Sequence, residues 1–355
     1  MSELKPIIAT EKKLERESGV ELLRILAACG VIVLHYNYYG GAMSSAQGLN
    51  YGVLSLLESA TAVSVNIFLL ISGYFSCTRK SVSVAKVIRL LAQVIGFQLA
   101  TNILSGIHGH NIRLRSLLAS LLPLNYYVTF YLVLYLLSPY LHKLLGELSR
   151  SELKRLLLLL FGVFSLYQCA VDVLERIAGR ELMGMSPVAL HGGQSGYTVV
   201  NFLLVYCIGA CLRLSELPKR LYLHLCLGGY ALCTLLVWLW SFADASVAWA
   251  YCNPILILEA VFLFLAALKI HFQSKIVNIL AKSSFTCYLL NIPLVVRVGA
   301  EVAAAKSAPL MLIHLLVSVI GIYLLCWIVD IVYTAITCKA FAALEKKLPS
   351  YETEG

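Results

Sequence analysis

Apolar runs of about 20 residues, broken by short polar loops, recur along the whole chain. A helix of that length crosses a hydrocarbon core of about 30 Å, whereas membrane-barrel strands are short and alternate. The pattern predicts ten spans, at about 20–39, 53–76, 87–106, 125–142, 156–173, 197–213, 221–242, 251–270, 276–296 and 309–336. Residues 116–124 are apolar but too short to cross, and Pro123 sits at their end, so a half-helix or interfacial segment is expected there. The longest loop, 174–196, holds Pro187 and Gly192, Gly193 and Gly196. The reading is an all-α integral membrane bundle of about ten helices. A membrane domain at 19–337 lies between polar tails at 1–18 and 338–355, with no soluble domain and no internal repeat expected.

Composition agrees with that pattern. Hydrophobic residues make up 60% of 355 and charged ones 13%, against roughly 45–50% and 25% in soluble chains. The net charge of +9 is therefore not read as a nucleic-acid signal, because its cations sit in short loops between apolar runs. The tail carries Lys5, Lys12, Lys13 and Arg16, and the loop after the second span carries Arg79, Lys80 and Lys86. The termini and even-numbered loops hold about 20 Lys and Arg, whereas the odd-numbered loops hold Arg113, Arg115, Arg176, Arg180, Arg297 and Lys306. Positive charge favours the cytoplasmic side, so both termini are expected in the cytoplasm. The eleven cysteines lie mostly in apolar runs without a CxxC or zinc spacing, and read as small buried hydrophobes. No metal site is expected; His108 and His110 have no further ligands near them in sequence.

Polar residues inside the apolar runs are the candidates for chemistry, because such groups are costly in a bilayer. The first span reads ELLRILAACGVIVLHYNYYG. Glu21 lies three residues before Arg24, within pairing reach on a helix. Arg24 and His35 are eleven residues apart, three turns plus about 20°, so they share a face about 16 Å apart along the axis. One reading makes His35 a general base and Arg24 an anion clamp at the cytoplasmic mouth. The other makes Glu21–Arg24 an interfacial pair and His35 an interfacial residue. Ser72-Gly73 permits close approach of a backbone or ligand, and Asn66 falls on the opposite helix face. Arg89 opens the third span, where arginines also snorkel. Glu58, Glu259 and Asp330 are intramembrane acids, and Gln93, Gln98 and Asn102 make the third span polar.

The Glu21-x-x-Arg24-x10-His35 pattern resembles the signature of the acyltransferase-3 family of integral-membrane acyltransferases. Three further blocks resemble that family in order: NIFLLISGYF (66–75), YYVTFYLVLYLLSPYL (126–141) and SSFTCYLLNIPLVV (283–296). The resemblance implies transfer of an acyl group, usually acetyl from cytoplasmic acetyl-CoA, to a hydroxyl of an extracytoplasmic or lipid-linked glycan. It implies a multi-pass protein of a bacterial cell membrane, with acyl-CoA, a glycan acceptor and the bilayer as partners and no bound cofactor. On this reading His35, Arg24 and Glu21 are catalytic. Ser72, Arg89, Tyr127, Tyr288 and Asn291 bind substrate, with Ser72, Tyr288 and Asn291 as possible donors to a thioester oxyanion. Asn291 stands where many members have histidine, and Tyr126 and Tyr127 replace a more usual tryptophan pairing. Whether His35 deprotonates the hydroxyl or accepts the acyl group stays open, as does the oligomeric state. A multi-span transporter or flippase is the alternative class, since ten spans and the Asn291/Pro293 break would suit one.

Overall fold

The computed structural model describes residues 17–108, 114–123, 125–215 and 221–352. The tail cations at 5, 12, 13 and 16, the loop residues His110 and Arg113, and the side chain of His108 lie outside them.

Helix α1 (Ser18–Tyr38) is the first span, about 32 Å long at 1.5 Å per residue. Gly41, in the left-handed region at φ 73°, turns the chain into the short α2 (Ala42–Ser45). The second expected span is two helices, α3 (Gly48–Thr61) and α4 (Ser64–Ser76). They part at residues 62 and 63, where the Ser64 hydroxyl donates to the Thr61 carbonyl at 2.6 Å. The loop after α4 holds a three-residue strand, β1 (Ser81–Ser83). Next come α5 (Val84–His108) and α6 (Leu114–Ala119), the short apolar segment expected before the fourth span. Asn125 caps α7 (Tyr126–Glu147) by accepting from the Val128 N–H.

The fifth span is longer than its hydropathy suggested. A Ser149–Glu152 capping box starts α8 (Arg150–Phe161), a π-turn at 162–167 follows, and α9 (Gln168–Ala178) completes it. The outer loop therefore starts at 179 and not at 174. Helices α10 (Val199–Leu214), α11 (Leu223–Ala248) and α12 (Pro254–Leu268) follow. The ninth span is broken into α13 (Lys275–Leu280) and α14 (Ser284–Val295) by a 3-10 turn. After α15 (Ala300–Ala304), α16 (Ala308–Lys347) runs for 40 residues. It continues about ten residues past the expected end of the tenth span, so the tail assigned to 338–355 begins as helix. The chain then turns into β2 (Ser350–Glu352), which pairs antiparallel with β1, Val82 opposite Tyr351.

Among the described residues, seven helices are long and apolar enough to cross a membrane, and α10 and α12 are shorter apolar helices. With the composite α13–α14, they occupy the ten expected positions in an all-α membrane bundle. Helix α1 packs against α3, α4, α12, α14 and α16, which places the polar first span at the centre. Helix α4 packs on α10 with the backbones in close approach, and two glycines permit it. A Cβ on Gly73 would collide with the Tyr206 carbonyl, and one on Gly209 with the Leu70 carbonyl. Two of the three intramembrane acids, Asp330 and Glu259, bond to hydroxyls. Asp330 accepts from Ser283 and Thr286, tying α16 to α14, and Glu259 meets Thr234 across α12 and α11. Asn66 donates to the Tyr251 carbonyl at 3.0 Å, on the side of α4 away from Ser72.

Candidate active site

Two cavities flank the middle of the bundle. The first, about 560 Å³, is lined by Glu21, Arg24, Ser72, Lys86, Arg89, Gln93, Tyr127, Tyr131, Lys282, Tyr288 and Glu345, among others. The second, about 750 Å³, is lined by His35, Asn37, Tyr38, Tyr39, Glu58, Asn125, Tyr126, Tyr197, Trp249, Tyr251 and Tyr288, among others. Both volumes fall in the range of small-molecule sites. Tyr288 is common to both walls. Helix α1 presents Arg24 to one cavity and His35 to the other, so their shared helix face serves two chambers.

The first chamber is basic. Arg24, Lys86, Arg89 and Lys282 face it against Glu21 and Glu345. The Arg24–Glu21 contact is loose, 3.8 Å between Nη1 and Oε1, which leaves the guanidinium donors largely available. A ladder of tyrosines rises along α7 at four-residue intervals. The Tyr127 and Tyr131 rings are 6.3 Å apart and inclined by 13°, and Tyr131 and Tyr135 are 6.5 Å apart and inclined by 17°. At its outer rung, the Arg79 guanidinium and the Lys86 ammonium lie 4.8 and 4.5 Å from the Tyr135 ring centroid. Arg79 also keeps a buried Nη1 without a partner among the described residues. At the inner rung, Tyr127 meets Tyr288 with centroids 4.8 Å apart. This chamber offers cations at its mouth and an aromatic wall leading inward.

Among the described residues, the second chamber is lined by one carboxyl group, Glu58, one imidazole, His35, and neither Lys nor Arg. His35 is held from α14: its Nδ1 meets Asn291 Oδ1. The orientation of that amide follows from its other bonds. Asn291 Nδ2 donates to the Cys287 carbonyl at 2.9 Å and to the Tyr288 carbonyl at 2.8 Å. Both amide hydrogens are thereby used, so Oδ1 must face the ring and accept from Nδ1–H. In the neutral ring this puts the proton on Nδ1 and leaves Nε2 its lone pair. That is the tautomer a general base requires.

The structure brings Glu21, Arg24, Ser72, Arg89, Tyr127 and Tyr288 to the first chamber and places His35 and Tyr288 on the second. Asn291 lies behind His35 and lines neither. The three side chains weighed as oxyanion donors all have their hydrogens engaged. Ser72 donates to the Phe68 carbonyl at 2.7 Å, Tyr288 to Asn125 Oδ1 at 3.1 Å, and Asn291 to the two carbonyls of its own helix. The replacement of histidine at 291 thus leaves His35 with a partner, and the partner is Asn291 itself. Asn37, Trp249, Tyr197 and Tyr251 on the second chamber, and Lys282 on the first, were not singled out from sequence. Asn37 carried a signal, being a polar residue within an apolar run two positions after His35.

No curated protein and no solved structure matches this sequence. The acyltransferase domain of the acyltransferase-3 family matches residues 17–331, nearly all of the bundle and both chambers. The chain belongs to the acyltransferase-3 family and is an integral-membrane acyltransferase.

Proposed function

We propose that the protein moves an acyl group, acetyl, from cytoplasmic acyl-CoA to a hydroxyl of a cell-surface or lipid-linked glycan, with His35 as the base. The observation that carries this reading is the pair of unlike chambers that share Tyr288. One is cationic and walled by tyrosines, and the other has no Lys or Arg among the described residues of its lining and holds an imidazole whose Nδ1 faces Asn291 Oδ1.

The basic chamber opens on the side that the distribution of Lys and Arg assigns to the cytoplasm. Arg79, Lys86 and Arg89 suit the phosphates of CoA, and Arg24 suits an oxygen deeper along the donor. The pantetheine arm runs beside the Tyr135–Tyr131–Tyr127 ladder and brings the thioester to Tyr288. The acceptor hydroxyl comes from the other chamber. His35 Nε2 takes its proton as the oxygen attacks the thioester carbonyl. The carbon–sulfur bond breaks, and the CoA thiolate recovers the proton from the imidazolium. His35 faces the acceptor chamber, which favours direct transfer over an acyl-histidine intermediate. The Tyr288 hydroxyl can turn from Asn125 to the developing oxyanion.

The test is purified protein in lipid nanodiscs with radiolabelled acetyl-CoA and a surface-glycan acceptor, beside glycan analysis of a strain lacking the gene. The reading predicts labelled, alkali-labile glycan from the protein and loss of glycan O-acetyl groups from the strain. Transfer from succinyl-CoA in preference to acetyl-CoA would change the acyl group assigned, and unchanged glycan acetylation in the strain would refute the reading.

A further inference from the structure

On the wall of the second chamber, opposite charges are missing and hydrogen-bond acceptors are fixed in place. Glu58 projects from α3 and remains in contact with the chamber. Its Oε2 accepts from Asn37 Nδ2 at 2.7 Å, and the same amide nitrogen donates to the Leu54 carbonyl at 3.3 Å. Asn37 is 2% exposed, and its Oδ1 has no partner. An unpaired buried amide oxygen is costly. The fold tolerates that cost and keeps the amide's hydrogens on Glu58 and Leu54. The result is a carboxyl group locked in position, with its Oε1 without a partner among the described residues. Among the described residues, the lining contains no lysine or arginine to neutralise an anion. Aromatic rings complete the wall. Trp249 is held by its indole N–H, which donates to Ser59 Oγ at 2.9 Å, and Tyr197 and Tyr251 meet edge to face at 5.0 Å.

We propose that Glu58, positioned by Asn37, selects the acceptor: it takes an uncharged sugar ring through the hydroxyls beside the reacting one and rejects anionic sugars. The proposal rests on the acyl-transfer reading above and adds the class of sugar to it. A carboxyl oxygen without a partner calls for a hydroxyl donor, and the flat rings suit the apolar face of a pyranose. A uronate or phosphorylated sugar would set its anion beside the buried Glu58 carboxyl, with no lysine or arginine in the described lining to share it.

The experiment uses the full chain in nanodiscs with radiolabelled acetyl-CoA and alkyl glycosides in matched pairs. The pairs are octyl glucoside, galactoside and mannoside, each beside its octyl uronide. The neutral member of at least one pair should be labelled ten-fold or more faster than its uronide. Glu58→Gln should narrow that gap to within about three-fold by raising the uronide rate. Asn37→Ser, which loosens the carboxyl but retains it, should slow the neutral glycoside while still rejecting the uronide. This second variant keeps the test decisive if Glu58→Gln does not fold. Equal labelling within pairs, faster labelling of uronides, or a gap unchanged in Glu58→Gln would overturn the proposal. Absence of labelling of every glycoside and of crude surface glycan by the wild-type protein would instead overturn the acyl-transfer reading, and this proposal with it.

Discussion

Asn291 Oδ1 meets His35 Nδ1, while both hydrogens of the Asn291 amide are bound by carbonyls one turn back on its own helix. The arrangement makes Asn291 an acceptor toward the imidazole and nothing else. Replacing it by leucine removes the acceptor, frees the ring to take the other tautomer and leaves two carbonyls without their side-chain donor. Asn291→Leu should lower kcat by about 10–100-fold, the range seen when a histidine's orienting partner is lost, with little change in KM for the donor. Asn291→Asp should retain more activity than Asn291→Leu. Steady-state kinetics on the two variants checks both.

Arg24 is expected to act on the donor alone. It lies in the basic chamber and holds Glu21 only at 3.8 Å. Arg24→Gln should raise the KM for acyl-CoA by about 10–100-fold, the worth of a charge-assisted hydrogen bond of 1.5–3 kcal/mol. The KM for the glycan should stay within about two-fold. An equal effect on both substrates would contradict the separation of the chambers.

Tyr288 stands in both walls. Tyr288→Ala should join the chambers and admit water to the thioester. CoA release without acceptor should then rise against transfer, by roughly ten-fold in ratio. Tyr288→Phe keeps the wall and loses only the hydroxyl, so its ratio should stay close to that of the wild type. Parallel thiol-release and acetyl-transfer assays distinguish the two.

Gly73 and Gly209 allow α4 and α10 to touch backbone to backbone. Gly73→Ala should push them apart at a cost of about 1–3 kcal/mol, as for overpacking in other cores. The readout is a lower midpoint in a thermal-unfolding experiment on detergent-solubilised protein. An unchanged midpoint would show that the two helices yield more easily than their contact implies.

The ten spans were legible because each must bury about 20 residues in hydrocarbon, and that demand writes itself into composition. The centrality of Glu21, Arg24 and His35 was legible for the same reason, since polar residues at such depth need a reason to be there. Helical spacing set Arg24 and His35 on one face. It could not reveal that Tyr288 of α14 lines both chambers, because that depends on how two distant helices pack. The partnership of Asn37 with Glu58 joins α1 to α3 in the same way. The break at 62–63 depends on hydroxyls bonding back to carbonyls, which leaves little mark on hydropathy. The pairing of β2 with β1 involves three residues on each strand, too few for an alternating pattern to show. The role of residue 291 was obscured by the histidine usual in the family. Only the directions of its three side-chain hydrogen-bonding contacts identify it as the partner of His35.

The central claim is that His35 Nε2 takes the proton from the acceptor hydroxyl. The measurement that tests it most directly is single-turnover acetyl transfer at saturating acetyl-CoA, comparing wild-type protein with His35→Ala and His35→Gln in nanodiscs. The account predicts that both variants lose at least about 100-fold in transfer rate, the lower end of what a general base contributes, while binding acetyl-CoA within about three-fold of the wild type. A His35→Ala protein that transfers acetyl groups at the wild-type rate would contradict it.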